Sequence, residues 1–386
     1  MIVAWGERKS KSVQTRGSLP RPAGLSNLPL FFLAVLLSGL GLLVIYSASA
    51  ILGSQKFGDG LYYVKKQAVF LGAGWLLYFV VAQISVIRLC KLRLSFIIVS
   101  LLLLLSVFIP GWGVSAGGAT RWISLGFVQF QPAEFVRLMI IFYLAGTLAF
   151  RRDRLNSFNK GFLPLLVVTS ILMFILILQP DFGSAMGIFM ISLALWFVGG
   201  VPVAFLAGLL VLSMPAIVFL IYQASYRALR LASFLDPWKD PQGSGFQVIQ
   251  SFTAFYQGGW AGVGLGNGQQ KLFYLPEAHT DFIFSVIGEE LGIVGAVLVV
   301  GLFVSLLIMG SRIARAQASL PGYLLATGLT VFFVLPALLN MMVTLGLLPT
   351  KGLPLPFFSY GGSSLVAALI ALGSLQSLHR RRDEAW

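Results

Sequence analysis

Ten long apolar runs, near residues 29–51, 67–87, 94–110, 133–150, 161–179, 182–200, 202–224, 282–309, 322–347 and 362–378, constrain this chain more than any other feature. Most are long enough to cross a bilayer as a helix, and no water-soluble fold could bury them all. With 58% hydrophobic and only 10% charged residues, the reading is an all-α integral membrane protein of about ten transmembrane helices. The first run ends in Ser47-Ala48-Ser49-Ala50, which mimics a signal-peptidase site. It is too long for a signal-peptide core and more runs follow, so it is read as a retained span.

Charge orients the spans. The polar tail 1–27 carries five basic residues, followed by Arg88/Lys91/Arg93, Arg151/Arg152/Arg154/Lys160, Arg312/Arg315 and Arg380/Arg381/Arg382. Together these hold 17 of the 27 lysines and arginines, all in alternate short connections or tails. The positive-inside rule then predicts both termini cytoplasmic, with tails 1–27 and 379–386 flanking a membrane domain 28–378. On this topology, 225–281 is one large extracytoplasmic loop and 348–361 is another on the same side. Basic residues scattered between apolar spans do not make a nucleic-acid surface. A lone Cys90 excludes an intrachain disulfide, and His279 and His379 are too few and too far apart for a histidine-rich metal site. Metal binding through carboxylates stays open. No solenoid repeat and no two-half transporter symmetry is visible.

The polar residues that interrupt this pattern are the candidates for chemistry. Leu275-Pro276-Glu277-Ala278-His279-Thr280-Asp281 runs straight into an apolar segment that contains Glu289 and Glu290. A carboxylate inside a span costs roughly 3 kcal/mol even on a lenient scale, so both glutamates need partners or a wet cavity. Helical phase puts Glu289 nearer the Asp281 face and Glu290 behind it. Asp281 is either a helix cap or a working carboxylate. Gln131-Pro132-Ala133-Glu134 reads as a helix start, with Arg137 placed to neutralise Glu134. Asp181, in Gln179-Pro180-Asp181-Phe182-Gly183, is an N-cap or marks a broken helix at a site. The glycines of 258–268 contain G-x-G, but with no βαβ unit around them they signal turns, not a dinucleotide site. Arg227 and Arg230 can present two guanidinium groups to a phosphate, or can simply meet lipid headgroups. Ser363 and Ser364 follow Gly361-Gly362 at the start of the last span, where free N–H groups favour an anion, with Lys351 nearby.

These pieces together resemble the SEDS family (shape, elongation, division, sporulation) of bacterial membrane proteins. The matching residues are Tyr46-Ser47-Ala48-Ser49, Arg121-Trp122, Gln131 to Phe135, Gln179 to Gly183, Phe234 to Pro237, Leu275 to Gly292 and Pro354 to Ser364. They extend from the first span to the last. Pro349-Thr350-Lys351-Gly352 and the context of Gln270 to Phe284 look like the division branch. Ala133, Arg137 and Gly268 stand where the family usually has Ser, Lys and often Ser. The resemblance implies a peptidoglycan glycosyltransferase that polymerises lipid II, the undecaprenyl-pyrophosphate-linked disaccharide pentapeptide. It would act at the outer face of the cytoplasmic membrane, beside a class B penicillin-binding transpeptidase and other division proteins. On that reading Asp281 is catalytic, and Lys351, Arg227, Arg230, Glu277, His279, Ser363 and Ser364 meet the substrate. Glu289, Glu290, Glu134 and Asp181 support them. A divalent cation, Mg²⁺ or Mn²⁺, could join the pyrophosphate; no organic cofactor is called for. The rival readings are a lipid II flippase and a non-catalytic scaffold for the transpeptidase.

Overall fold

The computed structural model describes residues 28–116, 119–124, 126, 129–223, 225–271, 279–350, 352–384 and 386. Its helices are α1 (Leu28–Phe57), α2 (Tyr62–Gln83), α3 (Val86–Leu89), α4 (Arg93–Ser106), α5 (Pro132–Phe150), α6 (Leu163–Leu178), α7 (Phe182–Val198) and α8 (Val203–Gln223). They continue with α9 (Ser225–Leu235), α10 (Phe246–Gly258), α11 (Ile283–Arg315), α12 (Leu320–Thr344) and α13 (Gly362–Arg380). Among the described residues, eight helical stretches are long and apolar enough to cross a membrane, with α3 and α4 joined as one. The shorter apolar helices Phe182–Val198 and Val203–Pro215 match the two remaining runs. Ten apolar runs therefore become ten helical stretches, as expected from satisfying every backbone group locally.

The centre of the bundle is α5, α12 and α13, which are buried over most of their length, whereas α2 and α4 present broad apolar faces outward. A small sheet that the apolar pattern did not announce sits between α4 and α5. Strands β1 (Gly113–Ala116), β2 (Ala119–Ser124) and β3 (Gln129–Phe130) pair antiparallel in that order.

Leu28 and Arg380 line one small cavity of about 170 Å³, so the start of α1 and the end of α13 lie at the same end of the bundle. The chain closes on itself there. Arg382 O accepts from Ala318 N at 2.9 Å, and Glu384 accepts from Ser85 Oγ at 2.6 Å and Arg88 Nε at 2.7 Å. This end carries the basic clusters, and the positive-inside rule leads to the expectation that it faces the cytoplasm. A cysteine placed at Gly243 is then expected to react with an impermeant maleimide in intact cells, and one at Asn156 is not. Labelling at position 156 without lysis would reverse the assignment.

The 225–281 segment, read as one large extracytoplasmic loop, has helical structure of its own. It contains α9 and α10, and α10 buries Val248, Ile249, Ser251 and Ala254 in the bundle. Ser251 Oγ lies 2.6 Å from Ser285 Oγ and donates to Thr344 O at 2.6 Å, so α10 is wedged against α11 and the end of α12. The chain beyond α10 then enters a break in α11. Gly292 has φ 64° and ψ −163°, splitting the 33-residue helix in two. A Cβ at position 292 would lie 2.4 Å from Gly262 N, so glycine is required both by conformation and by space. Four of the groups freed at the break find partners in the loop. Ile293 N and Val294 N donate to Gly259 O and Trp260 O, while Glu289 O and Glu290 O accept from Val263 N and Gly264 N. A helix interruption at membrane depth survives only with such replacement bonds.

Candidate active site

Opposite the basic end, several connections meet at one mouth: Tyr63 near the start of α2 meets His279 and Tyr360, Arg121 of β2 reaches Pro180, and both Gly183 and Asp281 lie against Gly352. Pro354 and Pro356 stiffen the 352–361 segment, and Phe357 adopts φ 70°.

Asp281 lies at this mouth, half-buried, in the turn that precedes α11. It is not the helix cap, because α11 begins at Ile283 with Phe282 in the cap position. Three successive carbonyls hold this turn. His279 O accepts from Tyr360 N at 2.9 Å, Thr280 O from Ser359 Oγ at 2.5 Å, and Asp281 O from Asn340 Nδ2 at 2.8 Å. Asn340 uses its second amide hydrogen on Leu353 O at 2.9 Å. One buried side chain on α12 thus joins the backbone of Asp281 to the proline-rich segment. The Asp281 carboxylate faces that segment, since a methyl on Gly352 would lie 3.2 Å from Oδ2.

Asp181 reaches the same place from the opposite wall. It caps α7, accepting from Ser184 N at 3.1 Å and Ser184 Oγ at 2.8 Å, as the default reading expected. A methyl on Gly183, in that first turn, would lie 3.2 Å from Gly352 O. Gly352, next to Lys351 in the chain, is therefore flanked by the Asp281 carboxylate and the start of α7. The turn before α7 is fixed by Gln179 Nε2, which donates to Leu104 O at 2.7 Å, and by Arg121, which donates to Pro180 O.

The other candidates divide. His279 joins an aromatic cluster with Tyr63 at 5.3 Å and Tyr360 at 6.0 Å between ring centroids. Burial, and then the neighbouring Tyr62 and Tyr63 phenols, push the Tyr360 phenol up to about 12, so it stays protonated at neutral pH and is no base. Ser363 is 3% exposed and its oxygen accepts from Gln131 N at 2.9 Å. That bond ties α13 to the start of α5, in place of the ligand contact expected of it. Ser364, half-buried in the same helical turn, keeps the expected position. Glu134 and Arg137 form a buried pair at 3.1 Å, with the guanidinium 5.2 Å from the Phe332 ring centre and against Gly187. They brace α5 against α7 and α12, in line with the structural reading. Arg230 is exposed on α9, which packs on α8 and the 237–239 turn, whereas α11, α12 and 352–361 build the Asp281 turn. Glu277, Lys351 and the side chain of Arg227 lie outside the described residues.

The paired glutamates are placed differently from the phase argument. Glu289 is fully buried and its carboxylate accepts from Gln269 N at 2.6 Å and Gln270 N at 3.2 Å. Glu290 accepts from Ser47 Oγ at 2.5 Å and pairs with Lys271 Nζ at 2.6 Å; Lys271 also donates to Ser47 at 3.1 Å. Glu289 is not free to tune the mouth, because backbone amides occupy it. Both glutamates instead pin 269–271, the strip of chain that leads toward Asp281. Lys271 and Ser47 are functional-region residues that the sequence reading missed as such. A charge count carries the signal: two carboxylates inside a span call for a nearby cation, and Lys271 is the lysine closest to them in the chain. Asn340 was missed too. Its signal is a carboxamide in an otherwise apolar span.

Asn340→Ala is expected to slow turnover by about tenfold with little change in substrate KM, since it loosens the turn of a reacting group without touching substrate. Asn340→Asp, which can accept but not donate while ionised, is expected to fail as well, and steady-state kinetics of both variants check this. Unchanged turnover in Asn340→Ala would show that Ser359 and Tyr360 hold the turn unaided.

Among the described residues, no group of three or more His, Cys, Asp or Glu side chains is placed to hold a metal ion.

Residues 28–384 match the cell cycle protein family of FtsW, RodA and SpoVE. A probable peptidoglycan glycosyltransferase FtsW of Trichlorobacter lovleyi is 43% identical over 352 residues, covering 91% of this chain and 92% of its own. Stage V sporulation protein E of Bacillus subtilis is 38% identical, over 92% of this chain and 97% of its own. Among solved structures, a chain from a peptidoglycan synthase complex that coordinates polymerization and crosslinking aligns with a TM-score of 0.77 at 33% identity, covering 93% of this chain and 98% of that one. The rod shape determining protein RodA of Thermus thermophilus aligns with a TM-score of 0.69 at 30% identity, over 94% of this chain and all of that one.

Proposed function

This chain belongs to the cell cycle protein family of FtsW, RodA and SpoVE, and from that premise we propose that it is a multi-pass inner-membrane peptidoglycan glycosyltransferase. Its substrate on this reading is lipid II, and its work serves the division septum, beside a class B penicillin-binding transpeptidase. The observation that carries the chemistry is the rigid placement of the Asp281 carboxylate, held by three backbone clamps at a mouth bordered by the Gly352 segment.

In the reaction, the 4-hydroxyl of an N-acetylglucosamine attacks the anomeric carbon of a second lipid-linked sugar. A carbon–oxygen glycosidic bond forms, and the bond from that carbon to the pyrophosphate oxygen breaks. Asp281 accepts the hydroxyl proton, a role that needs an ionised carboxylate fixed within hydrogen-bond reach. The departing undecaprenyl pyrophosphate gains negative charge, which Lys351 and the N–H groups at the start of α13 stabilise. Arg227 and Arg230 join from the 225–281 segment. A divalent cation would sit on the substrate's pyrophosphate oxygens, which Mg²⁺ characteristically uses, with the Asp281 carboxylate kept as the proton acceptor and not as its ligand. It would supply further neutralisation of the leaving group.

The purified protein, with and without its transpeptidase, is incubated with lipid II in the presence of penicillin. Long uncrosslinked glycan strands are the expected product. Transfer of lipid II across a vesicle membrane with no polymer formed would instead identify a flippase.

A further inference from the structure

At the basic end, well away from the mouth, α8 stands off from the bundle. It is anchored near its start by Phe205, whose ring meets Phe158 at 5.5 Å and Phe162 at 6.0 Å. Beyond that anchor an apolar cleft of about 590 Å³ opens between α6 and α8. Phe158, Phe162 and Leu166 form one wall, and Phe205, Gly208 and Leu212 the other. Nothing lies within 4 Å of where a Cβ on Gly208 would stand. None of the side chains lining the cleft carries a donor or acceptor group that could orient a soluble metabolite.

The two rims of this cleft differ sharply in charge. One is the α5–α6 connection, with Arg151, Arg152, Arg154 and Lys160 against a single acid, Asp153. Arg151 Nη1 donates to Lys160 O at 2.6 Å, which fixes the basic hook against the Phe158–Phe162 turn. Arg154 and Lys160 are exposed at that rim. The other rim, Gly199-Gly200-Val201-Pro202, is uncharged. An occupant must therefore be apolar along most of its length and anionic at one end. A purely apolar helix would match the cleft but bring no added counter-charge to the basic rim, which an anionic lipid supplies.

We infer that this cleft is a binding site for an anionic phospholipid of the leaflet at the basic end, with one acyl chain between α6 and α8 and its phosphate on Lys160 and Arg154. Basic pockets between transmembrane helices recognise such headgroups, and an acyl chain completes the packing that α8 lacks. The inference is independent of the chemistry at Asp281.

The test uses the full-length protein in nanodiscs of phosphatidylglycerol and phosphatidylcholine in equal parts, with retained lipids counted by native mass spectrometry after release. The wild type is expected to retain phosphatidylglycerol at least about fivefold over phosphatidylcholine, the ratio that one basic contact supplies. Lys160→Gln with Arg154→Gln is expected to bring the ratio close to one. Gly208→Leu, which fills open space, is expected to reduce retention of both lipids, and Leu212→Trp serves as a second filling variant if the first unfolds. Equal retention of the two lipids by the wild type would overturn the proposal. So would an unchanged ratio in the double variant, unchanged retention in both filling variants, or displacement by a polyprenyl diphosphate in preference to phosphatidylglycerol.

Discussion

With Asp281 replaced by asparagine, the purified protein is expected to polymerise lipid II at least about 10²-fold more slowly, the usual cost of removing a general base. The geometry makes this a clean substitution. The bonds from Tyr360, Ser359 and Asn340 all end on backbone carbonyls, so they survive a change of side chain. Asparagine occupies nearly the same space beside Gly352 and removes only the basicity. Loss of a helix cap is a poor explanation of a slow variant, because α11 starts two residues later with Phe282 in the cap position, and asparagine caps a helix as well as aspartate does. The measurement is glycan chain formation at saturating lipid II, with the thermal unfolding midpoint as a control. Near-normal synthesis by the variant would remove Asp281 from the mechanism. Lost lipid transport with polymerisation intact would move the protein to the flippase class.

Lys271→Met is expected to destabilise the fold by about 3–5 kcal/mol, the cost of leaving a buried charge without its partner. Lys271 and Glu290 are both almost wholly buried, and among the described residues only Ser47 would then remain to solvate the carboxylate. Adding Glu290→Gln is expected to recover most of that loss, because the uncompensated charge is gone and Ser47 keeps a hydrogen-bond acceptor. Glu289→Gln is expected to cost less than Lys271→Met, since one carbonyl oxygen can still accept from Gln269 N and Gln270 N. Denaturant unfolding in detergent gives all four values. A single Lys271→Met variant within about 1 kcal/mol of wild type would show that the pair is not what anchors 269–271. The same variant is expected to lose activity beyond its loss of stability, because 269–271 precedes the Asp281 turn by about ten residues in the chain and the pair fixes it on the helix that follows Asp281.

How much of this was legible in the chain follows from the range of each interaction. The spans could be read closely: the run expected at 133–150 is α5 at Pro132–Phe150, and that expected at 362–378 is α13 at Gly362–Arg380. Asp181 as a cap and Glu134 with Arg137 as a pair were also readable, since each needs only neighbours within one turn. The Glu289 and Glu290 roles were not. Phase on an ideal helix assumes that the helix continues, but α11 breaks at Gly292 and a remote loop fills the break. The strands near 113–130 escaped for a related reason, as short runs beside long apolar spans carry little periodic signal.

By itself the sequence determined that the chain crosses the membrane about ten times, which end bears the positive charge, and that Asp281 ends a polar approach to a span. Those properties depend on local hydropathy and local hydrogen bonding, and lipid permits no other solution. Tertiary structure alone decided which groups meet. Asn340 reaches Asp281 across 59 positions, Ser47 reaches Glu290 across 243, and Gly352 comes to lie against the Asp281 carboxylate. A buried polar group takes whichever partner the packed helices bring within about 3 Å, and that choice belongs to the whole bundle, not to any stretch of the chain.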